Sequence, residues 1–208
     1  SAVDIATDAI DCIHTTAASH NRVFIVEVMG HKVGWLTLYA GIAGGADIIV
    51  IPEIPYNTES ICAAVEKRSK AGKTFSIVAV AEGAFDQEEA KLKKKERAKR
   101  IQEAGITTAT SRLAAQVQAE TGIEARVCVP GHMLRGGSPS AYDRVLATKF
   151  GVRAASLIKS GKYGYTVAMV DGKITENKLS DIAGKTKFVT PDNQLVITAK
   201  ELGVSFGE

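Results

Sequence analysis

The 208-residue chain is 45% hydrophobic and 24% charged, the balance of a globular protein with a substantial core. Lys and Arg number 26 against 23 Asp and Glu, a surplus too small to signal a nucleic-acid partner, so any phosphate recognition rests on local clusters. The three cysteines, Cys12, Cys62 and Cys128, are far apart and form no C-x-x-C pair, which argues against a disulfide framework or zinc site and for a reducing cytoplasm. No apolar run approaches the ~20 residues that span a bilayer, so no membrane partner is expected.

The chain opens on Ser1 and enters a helical pattern almost at once, as a fragment of a longer protein does. Val3, Ala6, Ile10, Ile13 and Ala17 recur at helical spacing over residues 2–18, with Asp4, Asp8 and Asp11 on the other face. A strand at 23–28, a helix at 34–42 and a second apolar strand at 47–51 form one β-α-β unit. The pattern repeats with a helix at 58–71 and an almost wholly apolar strand at 75–81, suited to cover on both faces. Helical segments at 88–103 and 107–121 precede a short strand at 125–129. Ser138 and Pro139 read as the hydroxyl cap and first turn of a helix reaching about 160. Asp171-Gly172 joins two strand-like runs, 163–170 and 173–175, into a hairpin. Thr190-Pro191 then begins a last helix. The fold class is α/β, a three-layer α/β/α with a mostly parallel sheet. Residues 1–136 are expected to form the main α/β domain, and residues 137–208 the helix, hairpin and final helix that complete it.

In open parallel sheets, ligands bind beyond the carboxyl ends of the strands. Four such ends carry Met29-Gly30, Pro52-Glu53, Glu82-Gly83 and Pro130-Gly131-His132 with Arg135-Gly136-Gly137. Glycines admit close backbone approach, while Glu82, His132 and Arg135 supply an acceptor and donors suited to hydroxyls and a phosphate. Ordinary turn glycines and surface charges are the plain alternative for any one of them; together they favour a site for a phosphorylated sugar. His14, His20, His31 and His132 lack paired ligand spacing, so no metal site is expected in this chain, and His14 and His20 are expected on solvent-facing turns.

Arg22 and Arg126 open the first and fourth strands, at the opposite end of the sheet. Arg22 and Met29 are seven residues apart, roughly 23 Å in a strand at ~3.3 Å per residue, so one sheet cannot bring both to one small ligand. Either these arginines are solvated charges or they reach the site of a second copy across a two-fold interface. The basic run KLKKKERAKR at 91–100, interleaved with glutamates and free of aromatics, reads as a solvated helix face rather than a nucleic-acid stripe.

The strings SHNRVFIVEVMG, GGADIIVIPE, FSIVAVAEG and GHMLRGGSPSAYDRVLATKFGVRAA resemble, in order and spacing, the second half of the ATP- or pyrophosphate-dependent phosphofructokinases, and the likeness covers nearly the whole chain. It implies a two-domain phosphofructokinase fold of which the phosphoryl-donor domain lies outside this chain, and a carboxy terminus like that of the family's shorter members. It implies phosphoryl transfer from ATP or pyrophosphate to the C1 hydroxyl of fructose 6-phosphate, in a homodimer or homotetramer. It also implies roles for single residues. Met29 and Gly30 resemble the family's backbone contacts to the sugar, with His31 beside them a further substrate-binding candidate, Glu82 the carboxylate that holds its hydroxyls, and His132 and Arg135 the same-chain phosphate ligands. Arg22 and Arg126 resemble the arginines lent across the subunit interface to the 6-phosphate.

Two departures stand out. Most members carry Arg directly after Met-Gly, where it stabilises charge on the phosphoryl group in flight; here His31 and Lys32 follow. Either Lys32 substitutes or the transfer step is weakened, since a point charge does not reproduce a bidentate guanidinium. In the allosteric bacterial members an acidic residue near GGA and basic residues after a Lys-Gly-rich turn hold a nucleotide effector. Gly45, Asp47 and Lys73 are the candidates here, with Thr74 and Phe75 where polar or basic groups are expected. The family's GGDGS-type and TIDND-type segments, which serve Mg2+, donor and general base, do not occur in the 208 residues. Mg2+ is therefore expected to enter with the donor, on ligands outside this chain. These residues alone are expected to be inactive; the alternative is a non-catalytic sugar-phosphate-binding or regulatory module.

Overall fold

The computed structural model describes residues 1–17, 22–93, 95–97, 99 and 108–208, which divide into two compact units. Residues 2–136 and 188–208 form a sheet unit; Ser1 and residues 137–187 form a helix-and-hairpin unit. The two units part at Gly136/Gly137, and residues 188–208 group with the sheet.

Four strands build the parallel sheet: β1 (Arg22–Val28), β2 (Ile48–Val50), β3 (Phe75–Ala81) and β4 (Ala125–Cys128), in the order β2-β3-β1-β4. Val23, Ile25, Val26 and Val28 of β1 and Ile77 to Ala81 of β3 are buried, as expected of strands covered on both faces. In register, Arg22 lies beside Phe75 and Val28 beside Ala81, and Phe24 lies beside Arg126.

One face is covered by α1 (Ala2–Ala17), α2 (Trp35–Ala43) and α8 (Gln194–Glu201), whose Ile10, Leu38 and Val196 share a core with Val26, Val28 and Ile77. The other face is covered by α3 (Thr58–Lys70) and α5 (Ala109–Thr121), whose Ile61, Val65, Leu113 and Val117 pack with Val23, Ile25 and Val78. Between β3 and α5 comes the short α4 (Gln87–Ala90), set by a capping box in which Asp86 accepts from Glu89 N–H and Glu89 from Asp86 N–H. Asn57 and Thr108 cap α3 and α5 through side-chain bonds from the Ser60 and Ser111 N–H groups. Beyond α8 the tail runs beside β2: Ile49 N–H donates to Ser205 O at 2.9 Å and Ser205 N–H to Asp47 O at 3.1 Å, covering that strand's free edge.

In the second unit, α6 (Ala141–Lys159) is capped by Ser140, which accepts from Asp143 N–H. Ser138 is not the cap: Pro139 and Ser140 still precede the first turn. The hairpin of β5 (Tyr165–Val170) and β6 (Lys173–Lys178) turns on Asp171 and Gly172, with φ of 49° and 74°, the positive pair a two-residue turn requires. β6 continues three residues beyond the expected 175, and α7 (Leu179–Ile182) follows.

Other expectations shift as well. The last helix starts after its cap Asn193 rather than at Thr190-Pro191, because Asn193 N–H first closes a turn onto Thr190 O. His14 sits not on a turn but in the last turn of α1, where Nε2 meets Gly44 O at 2.7 Å and the ring stands edge-on to Phe75. His20 lies outside the described residues. The single helix expected at 88–103 does not form: α4 ends at Ala90 with its C-cap at Lys91, residues 91–93 are outside any helix, and most of 94–107 lies outside the described residues.

Candidate functional site

β1 and β3 are neighbours, yet the chain leaves β1 toward α2 on one face and β3 toward α4 and α5 on the other. Adjacent strands whose connections part in this way leave a crevice at their carboxyl ends. Glu82 follows β3 directly, held in the ladder by its N–H to Val28 O at 2.9 Å. Its Oε1 crosses the crevice and accepts from Gly30 N–H at 3.2 Å and His31 N–H at 2.5 Å. Gly30 and His31 turn tightly, with Val33 N–H closing onto Gly30 O at 3.2 Å and His31 at φ 56°, a left-handed conformation that His tolerates better than most residues. Gly83 is required by contact: a Cβ there would lie 2.0 Å from His31 O.

His31, Glu82 and Gly83 line a hollow of about 450 Å³, the size of a small-molecule site, together with Glu27, Arg97, Thr108, Ala109 and Arg112. Arg112 projects from the first turns of α5 and pairs with Glu89, its Nη2 3.0 Å from Oε2; their side chains are 12% and 0% exposed. The Glu89 hydrogen bond holds the guanidinium charged, against burial. Arg97 donates from Nε to Glu89 O at 3.0 Å and lies 3.8 Å over the Phe85 ring. It therefore departs from the solvated face expected for 91–100. Sequence reasoning missed Glu27, Glu89, Arg97 and Arg112. The D-x-x-E spacing of Asp86 and Glu89 was a legible capping signal, but nothing in the sequence pairs Glu89 with Arg112.

Lys32 faces elsewhere. It lines a second hollow, about 460 Å³, with Pro52, Glu53, Phe85 and Phe188 to Pro191. Both oxygens of Glu53 lie 3.0 Å from Gly34 N–H, and Oε1 also accepts from Val189 N–H at 3.0 Å. Glu53 thus ties the start of α2 to the returning chain.

Met29 is half-buried at the end of β1. Leu134, buried, anchors the short 3-10 turn Gly131–Arg135 after β4, while His132 and Arg135 are exposed on it and do not line the Glu82 hollow. Arg22 and Arg126 lie at the amino ends of β1 and β4 and converge on one carboxylate: Arg22 Nε is 2.5 Å from Glu124 Oε2, and Arg126 pairs with Oε1. Arg22, then Arg126, holds the Glu124 carboxyl below its ordinary range. Asp47 lies near that same end, accepting from Ile77 N–H at 2.8 Å and pairing with Arg68 at 2.8 Å. Burial raises its carboxyl pKa, and the Ile77 N–H and Arg68 counter part of the rise. Gly45 and Lys73 are exposed in the turns flanking β2 and β3.

Among the described residues no three His, Cys, Asp or Glu side chains gather to hold a metal ion. No described helix is long and apolar enough to cross a membrane.

The family model for phosphofructokinase matches residues 1–158. An ATP-dependent 6-phosphofructokinase of Spirochaeta thermophila is 52% identical over 208 residues, all of this chain and 57% of the relative. ATP-dependent 6-phosphofructokinase 3 of Bacteroides thetaiotaomicron is 45% identical over 207 residues, again the whole chain and 56% of the relative. The chain thus spans little more than half the length of these relatives. Among solved structures, phosphofructokinase from Saccharomyces cerevisiae matches with a TM-score of 0.73 at 35% identity, over 87% of this chain and 23% of that one. A pyrophosphate-dependent phosphofructokinase from Marinobacter aquaeolei shares the fold, with a TM-score of 0.72 at 22% identity over 98% of this chain and 54% of its own.

Proposed function

The chain belongs to the phosphofructokinase family, and from that premise we propose that it supplies the sugar-phosphate half of an enzyme that phosphorylates fructose 6-phosphate. In that reaction a bond forms between the C1 oxygen and the terminal phosphorus of ATP or pyrophosphate. The phosphorus–oxygen bond to ADP or phosphate breaks, and the C1 hydroxyl gives up its proton to a carboxylate base. The 208 residues contain no GGDGS-type or TIDND-type segment, so their part is to bind and orient the acceptor.

The observation that carries this reading is the Glu82 carboxylate fixed across the β1–β3 crevice by two backbone N–H groups. With Oε1 so occupied, Oε2 is the atom for sugar hydroxyls, and the side chain needs no reordering when the ligand arrives. His132 and Arg135, exposed on the turn after β4, are proposed as the same-chain phosphate ligands, and Met29 and Gly30 as backbone contacts to the sugar. Arg22 and Arg126 are proposed to serve the phosphate of a second copy, exchanging Glu124 for it; their place at the other end of the sheet supports this. His31 lines the Glu82 hollow while Lys32 lines its neighbour. We therefore assign His31 to the sugar and keep Lys32 as the candidate for charge on the moving phosphoryl group. Gly45, Asp47 and Lys73 are proposed for an effector, which would have to draw Asp47 from its partners Arg68 and Ile77 N–H.

Calorimetric titration with fructose 6-phosphate, followed by assay with ATP and with pyrophosphate, tests this. Saturable binding with no turnover by these residues alone is expected; absence of binding would remove the reading.

A further inference from the structure

Glu27 is the one ionisable side chain between the ends of β1, flanked by buried Val26 and Val28. A carboxylate set among such residues is costly unless hydrogen-bonded, so its partners matter. Alternation along the strand puts Glu27 on the α5 side, the side of Val23 and Ile25. There the Thr110 hydroxyl, itself wholly buried, donates to Oε2 at 2.5 Å. Thr110 is in the first turn of α5, so this bond aims Glu27 from a rigid element. Among the described residues no other hydrogen bond or ion pair engages the Glu27 carboxylate.

Glu27 and Glu82 come from adjacent strands, Glu27 opposite Val80 in register, and line the same hollow. Each has one oxygen committed to the protein: Glu27 Oε2 to Thr110, Glu82 Oε1 to Gly30 and His31. Each has a second oxygen that no described residue engages. Ionised carboxylates only accept, so a hollow presenting two free carboxylate oxygens asks its ligand for hydroxyl donors. Among the described residues the guanidinium groups lining the hollow, Arg97 and Arg112, are turned toward Glu89, through its carbonyl and its carboxylate respectively.

Resting on the reading of this site as a sugar-phosphate site, we infer that Glu27 is a second hydroxyl-binding carboxylate. It works beside Glu82, takes a different ring hydroxyl of the sugar and sets specificity among polyol phosphates. Thr110 is then a positioning residue that keeps one Glu27 oxygen facing the hollow.

The test is calorimetry of the parent chain and Glu27→Gln against fructose 6-phosphate and analogues that each lack one ring hydroxyl. Gln keeps the side-chain volume and an acceptor for Thr110, and a melting curve verifies the fold. Should that variant melt early, Glu27→Asp, which keeps the charge but withdraws it by one methylene, carries the same comparison. The expected result is a 10- to 100-fold loss of fructose 6-phosphate affinity, on the order of one charged hydrogen bond. It should come with lost discrimination against one analogue, discrimination that the parent shows. Parent-like affinity, or equal weakening toward the sugar and every analogue, overturns the inference and leaves the site reading standing. Failure of the parent to bind any of these sugars overturns both.

Discussion

Glu82 and His31 meet across the crevice between β3 and β1, the Glu82 carboxylate accepting the His31 backbone N–H at 2.5 Å. This bond joins the two loops that part at the switch point, so the geometry of one strand end depends on the other. In the same contact Gly83 runs against His31 O with no room for a side chain.

Gly83→Ala is therefore expected to act on binding before it acts on the fold. A Cβ 2.0 Å from a backbone oxygen forces the β1 and β3 loops apart, an overpacking cost of about 1–3 kcal/mol. Urea denaturation should register that loss, and fructose 6-phosphate titration a larger proportional fall in affinity. Equal affinity in the variant would mean that the contact is irrelevant to the site.

The Arg112–Glu89 pair is almost wholly enclosed, so removing one partner leaves the other charge buried alone. Glu89→Ala is expected to lower stability by about 3–5 kcal/mol, and Glu89→Gln with Arg112→Met to recover part of that loss. Denaturation midpoints of the single and double variants decide it; additive losses would mean that the two charges do not depend on each other.

In the helix-and-hairpin unit, Arg153 and then Lys162 hold the Glu176 carboxyl below its ordinary value near 4.5. A carboxyl with a depressed folded-state pKa favours the folded state fully above its unfolded pKa. That contribution disappears as pH falls through the lower, folded-state value. Melting temperature is thus expected to fall from about pH 4.5 downward, and Glu176→Gln to flatten that part of the profile while lowering stability at neutral pH. A variant profile parallel to the parent's would remove Glu176 as the cause.

If Arg22 and Arg126 serve the site of a twin, two crippled chains should complement each other. Arg22→Ala with Arg126→Ala leaves its own crevice intact, and Glu82→Ala leaves its arginines intact. Mixed after dissociation, they are expected to regain about one working site in each hybrid, seen as recovered fructose 6-phosphate binding. No recovery, despite hybrids verified by mass, would return both arginines to their own chain.

Much of the sheet was legible because buried parallel strands are near-continuous apolar runs: Phe75–Ala81 is bounded as the sequence bounds it, and Asp171-Gly172 turns a hairpin as its residues require. That Gly30 and Glu82 stand at neighbouring strand ends was legible from position, since each lies just past a parallel strand. What escaped was set by pairing through space. Glu27 hides in the period of a strand and Arg112 in the polar face of a helix; only the fold brings them to Glu82. His14 was misplaced because its partner, Gly44 O, is a backbone atom thirty residues away that leaves no trace in local pattern. Ser138 and Ser140 are both plausible caps by residue type, and the choice fell to Ser140 because its side chain reaches Asp143 N–H.

Amide hydrogen exchange with and without fructose 6-phosphate measures the grip of the crevice most directly. Saturating sugar is expected to slow exchange at Gly30, His31 and Gly83 and on the turn bearing His132 and Arg135, with little change around Asp47 and Lys73. Binding detected by calorimetry with these amides unaltered, or protection confined to the opposite end of the sheet, would contradict the assignment of the sugar to the Glu82 crevice.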